Sequence, residues 1–273
     1  METKRLISFF LMVIITIIAV VNDVAFIIVV ALLTMGGLYE FFYMIKKKDI
    51  PIYSYTGIFI GVLIPVSIYT RFELTKNWEL LFTVTVFLII LLMQFNRKDN
   101  RNAIVGIATT LFGIFYVSWL FSFLVKIRYL LPGIMGAQLV AFIILVTKAG
   151  DVGALLIGTS FGRHPLIPHI SPKKSVEGCF GSLFFSCFAA VIVKSFLPHA
   201  QHLSLWQIMA VGTFFGGIGQ LGDISESLIK RDCHVKDSGK LLPGLGGVLD
   251  ILDSLLFSVP VFYLYMSSVL KIF

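Results

Sequence analysis

Residues 24–45 read Val-Ala-Phe-Ile-Ile-Val-Val-Ala-Leu-Leu-Thr-Met-Gly-Gly-Leu-Tyr-Glu-Phe-Phe-Tyr-Met-Ile, and Glu40 is the one charge among them. A helix needs about 20 predominantly apolar residues to cross the hydrocarbon core of a bilayer. Working outward from this stretch, comparable runs occupy 6–21, 52–70, 78–95, 102–125, 130–150, 178–197, 203–222 and 251–270. The expectation is therefore an all-α, polytopic transmembrane helix bundle of nine spans. Composition agrees: of 273 residues, 58% are hydrophobic, 14% aromatic and 14% charged, and the mean hydropathy is +0.94. A soluble domain is nearer one quarter charged. These values exclude a soluble globular enzyme, a disordered chain and a nucleic-acid-binding domain.

The net charge of +7 reports orientation. With the N-terminus cytoplasmic, the inside loops of a nine-span chain collect fifteen Lys and Arg, the outside loops six, and Lys148 lies within a span. Cytoplasmic loops carry the excess of positive charge, so the expected orientation is N-terminus inside and C-terminus outside. Lys4-Arg5 and the run to Val21 resemble a secretion signal, but no small-residue cleavage site follows, and a retained first helix is expected. Cys179, Cys187 and Cys233 lack metal-ligand spacing and are expected to be buried thiols. Pro132-Gly133, Gly150, Gly153 and Gly216-Gly217 mark expected backbone breaks in helices of the bundle interior, where neighbouring groups satisfy the freed backbone.

Residues 1–147 look like ordinary membrane helices, whereas 148–273 form a C-terminal region with two long polar segments. In the first, Lys148-Ala-Gly-Asp151 puts an acid at membrane depth, a functional candidate unless Lys148 satisfies it. Further on, Ile170-Ser-Pro-Lys173-Lys174-Ser175-Val-Glu177-Gly178 offers a helix cap and two ammonium groups suited to phosphate, although both lysines also fit a topogenic role. The second segment, 219–254, holds ten charges in 36 residues. Asp223, Ser227 and Lys230 share a helix face with Glu226 beside them, and Asp250 and Asp253 share another at i, i+3. Acidic helix ends joined by a loop with Lys230, Arg231, Lys236, Lys240 and glycines at 244, 246 and 247 suit a magnesium nucleotide: carboxylates hold Mg²⁺ and cations neutralise the remaining phosphate charge. A solvated, salt-bridged loop would explain the basic residues but not two aspartates entering an apolar helix. The five histidines, and Cys233-His234, have no zinc-like geometry. Glu40 is an intramembrane acid, paired or facing a cavity, with no role that the sequence assigns.

The second segment resembles the C-terminal signature of the phosphatidate cytidylyltransferases: Ser227, Lys230-Arg231, Lys236-Asp237, Gly239, Leu242-Pro243-Gly244, Gly246-Gly247, Asp250 and Asp253-Ser254 all match. Gly219-Gln-x-Gly-Asp223-x-x-Glu226-Ser227 and the 170–178 stretch are similar to the same family. Leu245 stands where the signature has His, Ile251 where it has Arg, and Asp151-Val-Gly-Ala-Leu155 departs from an Asp-Thr-x-Ala-Tyr pattern. The resemblance implies a divergent member that transfers CMP from CTP to phosphatidate, giving CDP-diacylglycerol and pyrophosphate for phospholipid biosynthesis.

It further implies Mg²⁺ on Asp223, Asp250, Asp253 and Glu226, with a second cation such as K⁺. Lys230, Arg231, Lys236 and Asp237 would form the catalytic group, and Lys173, Lys174, Ser227, Gly244, Gly246 and Gly247 would bind substrate. A homodimer in the bacterial inner membrane, with its active site facing the cytoplasm and no nucleic-acid partner, completes the expectation. Two alternatives remain at this stage. A CTP-dependent polyprenol or phytol kinase would release CDP and a phosphorylated alcohol; an ion-coupled transporter would bind no nucleotide.

Overall fold

The computed structural model describes residues 2–71, 78–98, 100–197, 203–239, 241 and 246–272. Helices α1 (Glu2–Val21), α2 (Asp23–Lys46), α3 (Ser54–Tyr69) and α4 (Trp78–Phe95) come first. A continuous rod follows, made of α5 (Ala103–Gly113), a π-helical stretch (Ile114–Trp119) and α6 (Leu120–Arg128). Then come α7 (Ile134–Phe161), a hairpin of β1 (Pro165–Ile167) and β2 (Ser171–Ser175), α8 (Val176–Ile192), α9 (Leu205–Asp232) and α10 (Leu249–Ile272). Among the described residues, helix thus occupies each of the nine runs. Five rods among the described residues are long and apolar enough to cross a membrane, namely α2, α4, the α5–α6 rod, α7 and α10, while Phe10–Val21 of α1, and the whole of α3 and α8, are shorter apolar helices. The hairpin, antiparallel with Pro165 opposite Ser175 and Ile167 opposite Ser171, is the one sheet among the described residues, and it was not expected.

Helix starts follow from local chemistry. Asn22 accepts the Ala25 N–H at 2.9 Å, Ser175 accepts the Gly178 N–H at 3.1 Å, and Ser204 with Gln207 forms a reciprocal capping box. Each satisfies amide groups that the first turn leaves without partners. The outward faces are apolar. Val24, Ile28, Leu32 and Met35 form an exposed stripe down α2, and Phe180, Phe184, Phe188 and Ile192 form one down α8. Side chains three or four residues apart stack on one helix face, and contiguous apolar faces of this length suit lipid rather than water.

The expected breaks at Gly150, Gly153, Gly216 and Gly217 are absent, because α7 and α9 run through all four. Three of these glycines serve close packing instead. A methyl at Gly150 or Gly216 would meet the Ser186 hydroxyl, and one at Gly153 would meet the Gly181 carbonyl at 2.6 Å. Small residues let helix backbones approach where no water-driven force separates lipid from side chain. The chain does turn at Gly133, whose φ of +60° favours glycine. Helices α7, α8, α9 and α10 pack in sequence order, and α10 also contacts α2 and α6. The main core runs through these contacts, with Phe41, Phe142, Phe215 and Phe262 buried.

Candidate active site

The last three turns of α9 and the first two turns of α10 meet where Gly222 faces the backbone of Asp253 and Ser254 with no side chain between them. That approach brings one carboxylate oxygen each of Asp223, Glu226 and Asp253 within 4.8 Å of one another. Glu226 is fully buried, Asp253 is 7% exposed and Asp223 lies at the mouth. Three acids this close are costly without cations, and two lysines supply them. Lys230 lies against Glu226 and 2.7 Å from Asp250. Lys174 reaches across from β2 to Asp223 at 2.8 Å and to the Ser227 hydroxyl at 3.3 Å. Glu226 Oε1 has no hydrogen-bond partner.

Asp250 does not join the three converging acids. It accepts the Lys230 ammonium, the Ser238 N–H and, at 2.8 Å, the Gly247 N–H, so it ties the glycine-rich segment to α9. Gly246 adopts φ +96°, and a Cβ there would press on the Asp250 carboxylate at 2.8 Å. Gly247 is buried, and its amide is already engaged. Arg231 turns away from the acids and donates to the Ile170 carbonyl at 3.1 Å, bracing the hairpin. Lys236 and Asp237 are exposed just past α9. Gly244, Lys240 and Leu245 lie outside the described residues.

Asp151 is satisfied by Lys148, one of the two outcomes the sequence left open. The Lys148 ammonium lies 2.7 Å from Asp151 and also donates to the Ser254 hydroxyl and the Ile251 carbonyl. The Ser254 hydroxyl in turn donates to Asp151 at 2.8 Å. These bonds knit α7 to α10 directly behind Asp253. Asp151, Gly158, Lys173, Lys174, Gln220 and Asp223 help to line a cleft of about 290 Å³ between α7, the hairpin, α8 and α9. Lys173 is exposed at its edge. At the rim, Glu177 accepts the Arg163 and His164 amides and meets the His164 ring at 2.6 Å, closing the turn after α7.

One residue escaped sequence reasoning, and the role of a second was seen only in part. Tyr116, in the π-helical stretch, is 4% exposed and its hydroxyl has no partner. A π-turn inside an α-helix commonly marks a functional position, but a tyrosine in an apolar run carries no such signal. Lys148 was visible only as a possible partner of Asp151, not as the link to α10. Chemically, the site offers a set of oxygen-only donors with ammonium groups on two sides, which suits a hard divalent cation and a polyanionic ligand.

The cytidylyltransferase family model matches residues 3–269. The chain belongs to the cytidylyltransferase family. Curated relatives in the comparison include the phosphatidate cytidylyltransferase of Staphylococcus epidermidis, 35% identical over 163 residues, which are 60% of this chain and 60% of that protein. The chloroplastic phosphatidate cytidylyltransferase 4 of Arabidopsis thaliana is 36% identical over 220 residues, 72% of this chain and 54% of that protein. The uncharacterized protein YnbB of Escherichia coli (strain K12) is 42% identical over 131 residues, 48% of this chain and 43% of its own length. The chain thus spans roughly half of the curated relatives it matches.

Proposed function

We propose that this chain transfers CMP from CTP to phosphatidate, giving CDP-diacylglycerol and pyrophosphate. The observation that carries the proposal is the convergence of Asp223, Glu226 and Asp253, of which Asp223 lines the cleft beside Lys174, in a family whose relatives bear the name of that activity. The three acids fit Mg²⁺, being hard oxygen donors of which one, Glu226 Oε1, is buried without a partner. When bound, Mg²⁺ supplies charge neutralisation on phosphate oxygens.

A phosphate oxygen of phosphatidate attacks the α-phosphorus of CTP. The bond from that phosphorus to the bridging oxygen breaks, and pyrophosphate leaves with the electron pair. The attacking phosphate is ionised at neutral pH, so no side chain has to remove a proton. Lys173 and Lys174 neutralise phosphate oxygens from the hairpin side. Lys230, held between Glu226 and Asp250, fixes the acids of α9 and α10 relative to each other. Rate enhancement then comes from alignment and prearranged charge. We further propose nine spans with the N-terminus and the cleft on the cytoplasmic side, as the fifteen-to-six split of Lys and Arg supports.

The test supplies detergent-purified protein with labelled CTP, Mg²⁺ and either phosphatidate or a polyprenol. CDP-lipid and pyrophosphate are expected. CDP with a phosphorylated polyprenol, or no nucleotide-dependent product, would overturn the assignment.

A further inference from the structure

Glu40 belongs to α2, 198 residues before Ser238 in the polar segment, yet it is 1% exposed inside the bundle. Its Oε2 accepts two hydrogen bonds, from the Ser238 hydroxyl at 3.0 Å and from the N–H of Leu249, the first residue of α10, at 2.9 Å. The surroundings are shaped to this carboxylate. A Cβ at Gly239 or Gly247 would collide with it, and Oε1, beside Gly239, has no partner. An acid at membrane depth is costly and is kept where it has a task.

The same two flanks of the glycine-rich segment are also bound by Asp250. Asp250 takes the Ser238 N–H and the Gly247 N–H, while Glu40 takes the Ser238 hydroxyl and the Leu249 N–H. One carboxylate belongs to α10 itself. The other is fixed to α2, whose neighbours Phe41 and Phe42 are fully buried core residues. Four residues past Leu249, Asp253 enters the acid cluster.

We infer that Glu40 is a positioning residue: it clamps Ser238 and the N-terminus of α10 to α2, and thereby sets where Asp253 stands relative to Asp223 and Glu226. Its catalytic consequence rests on the function proposed above, whereas the clamp itself does not.

The experiment compares full-length wild type, Glu40→Ala and Glu40→Gln in detergent by hydrogen–deuterium exchange without substrate, and by CDP-lipid kinetics. In Glu40→Ala, exchange of amides 246–253 should rise about tenfold while amides of α7 and α8 stay as in wild type. The kcat should fall on the order of 100-fold with little change in KM for phosphatidate. Glu40→Gln keeps an acceptor oxygen and should restore most of both. Unchanged exchange at 246–253, or an equal rise throughout the protein, overturns the clamp.

If Glu40→Ala fails to assemble, Gly239→Ala presses on the same carboxylate from the loop side. The same local rise is expected, and its absence is equally decisive against the clamp. Wild type that forms no CDP-lipid while the exchange pattern holds overturns the proposed function and leaves the clamp standing.

Discussion

Replacing Gly222 with alanine tests whether the α9–α10 crossing sets the geometry of the acid cluster. A Cβ at Gly222 would run into the Asp253 carbonyl oxygen and lie 3.2 Å from both the Asp253 carbonyl carbon and the Ser254 Cα. All of these are backbone atoms, which cannot rotate away as a side chain would. The helices must therefore separate, by roughly 1 Å, and a displacement of that size costs about 100-fold in rate. At 1.36 kcal/mol per tenfold, the barrier rises by about 2.7 kcal/mol. Stability changes less, because overpacking of about 1–3 kcal/mol is partly offset by the roughly 1 kcal/mol that alanine gains over glycine in a helix. Gly217→Ala on the same helix is the control, since its Cβ would meet Leu183 Cδ2 at an ordinary 3.6 Å. Initial rates of CDP-lipid formation and thermal midpoints of both variants make the comparison. A folded Gly222→Ala protein with kcat within about threefold of Gly217→Ala would refute the reasoning.

Asp253→Asn should leave the bundle assembled and lower CDP-lipid formation by at least about 100-fold; retained activity in labelled-CTP assays refutes its role in the cluster. Lys174→Met removes the contacts to Asp223 and Ser227 and should raise KM for CTP about tenfold with a weaker salt dependence, measured from 50 to 300 mM salt on the order of the usual screening range. Tyr116→Phe deletes a buried hydroxyl that has no partner, so the thermal midpoint should hold or rise; a fall equivalent to about 1 kcal/mol would show that the hydroxyl makes a stabilising bond.

The helical frame was legible because lipid demands long apolar runs, and the structure puts helix at every such run among the described residues. The glycines misled. Composition cannot distinguish a glycine that breaks a helix from one that admits a neighbour, and Gly150 and Gly216 are of the second kind, both against Ser186. Asp223, Glu226 and Asp253 were each legible as acids out of place in an apolar context. Their division from Asp250 was not, because an i, i+3 spacing puts both α10 aspartates on one face while the choice of partner depends on Lys230, on a different helix, and on how the backbone folds to present the Gly247 amide. Glu40 was conspicuous as an intramembrane acid, but its partners lie about 200 residues later and leave no periodic trace.

The bond from Glu40 to Leu249 also bears on modularity. A fragment beginning at Lys148 would contain every acid of the cluster, both cleft lysines and the whole glycine-rich segment. It would lack the acceptor that holds the start of α10, and that amide would be left without its partner in a setting where water cannot easily replace it. On the function proposed above, the C-terminal region would carry the chemical groups without being able to position them by itself. Grafted onto other membrane helices, it would need an acid presented at the depth of Glu40 before its own carboxylates could be held in register.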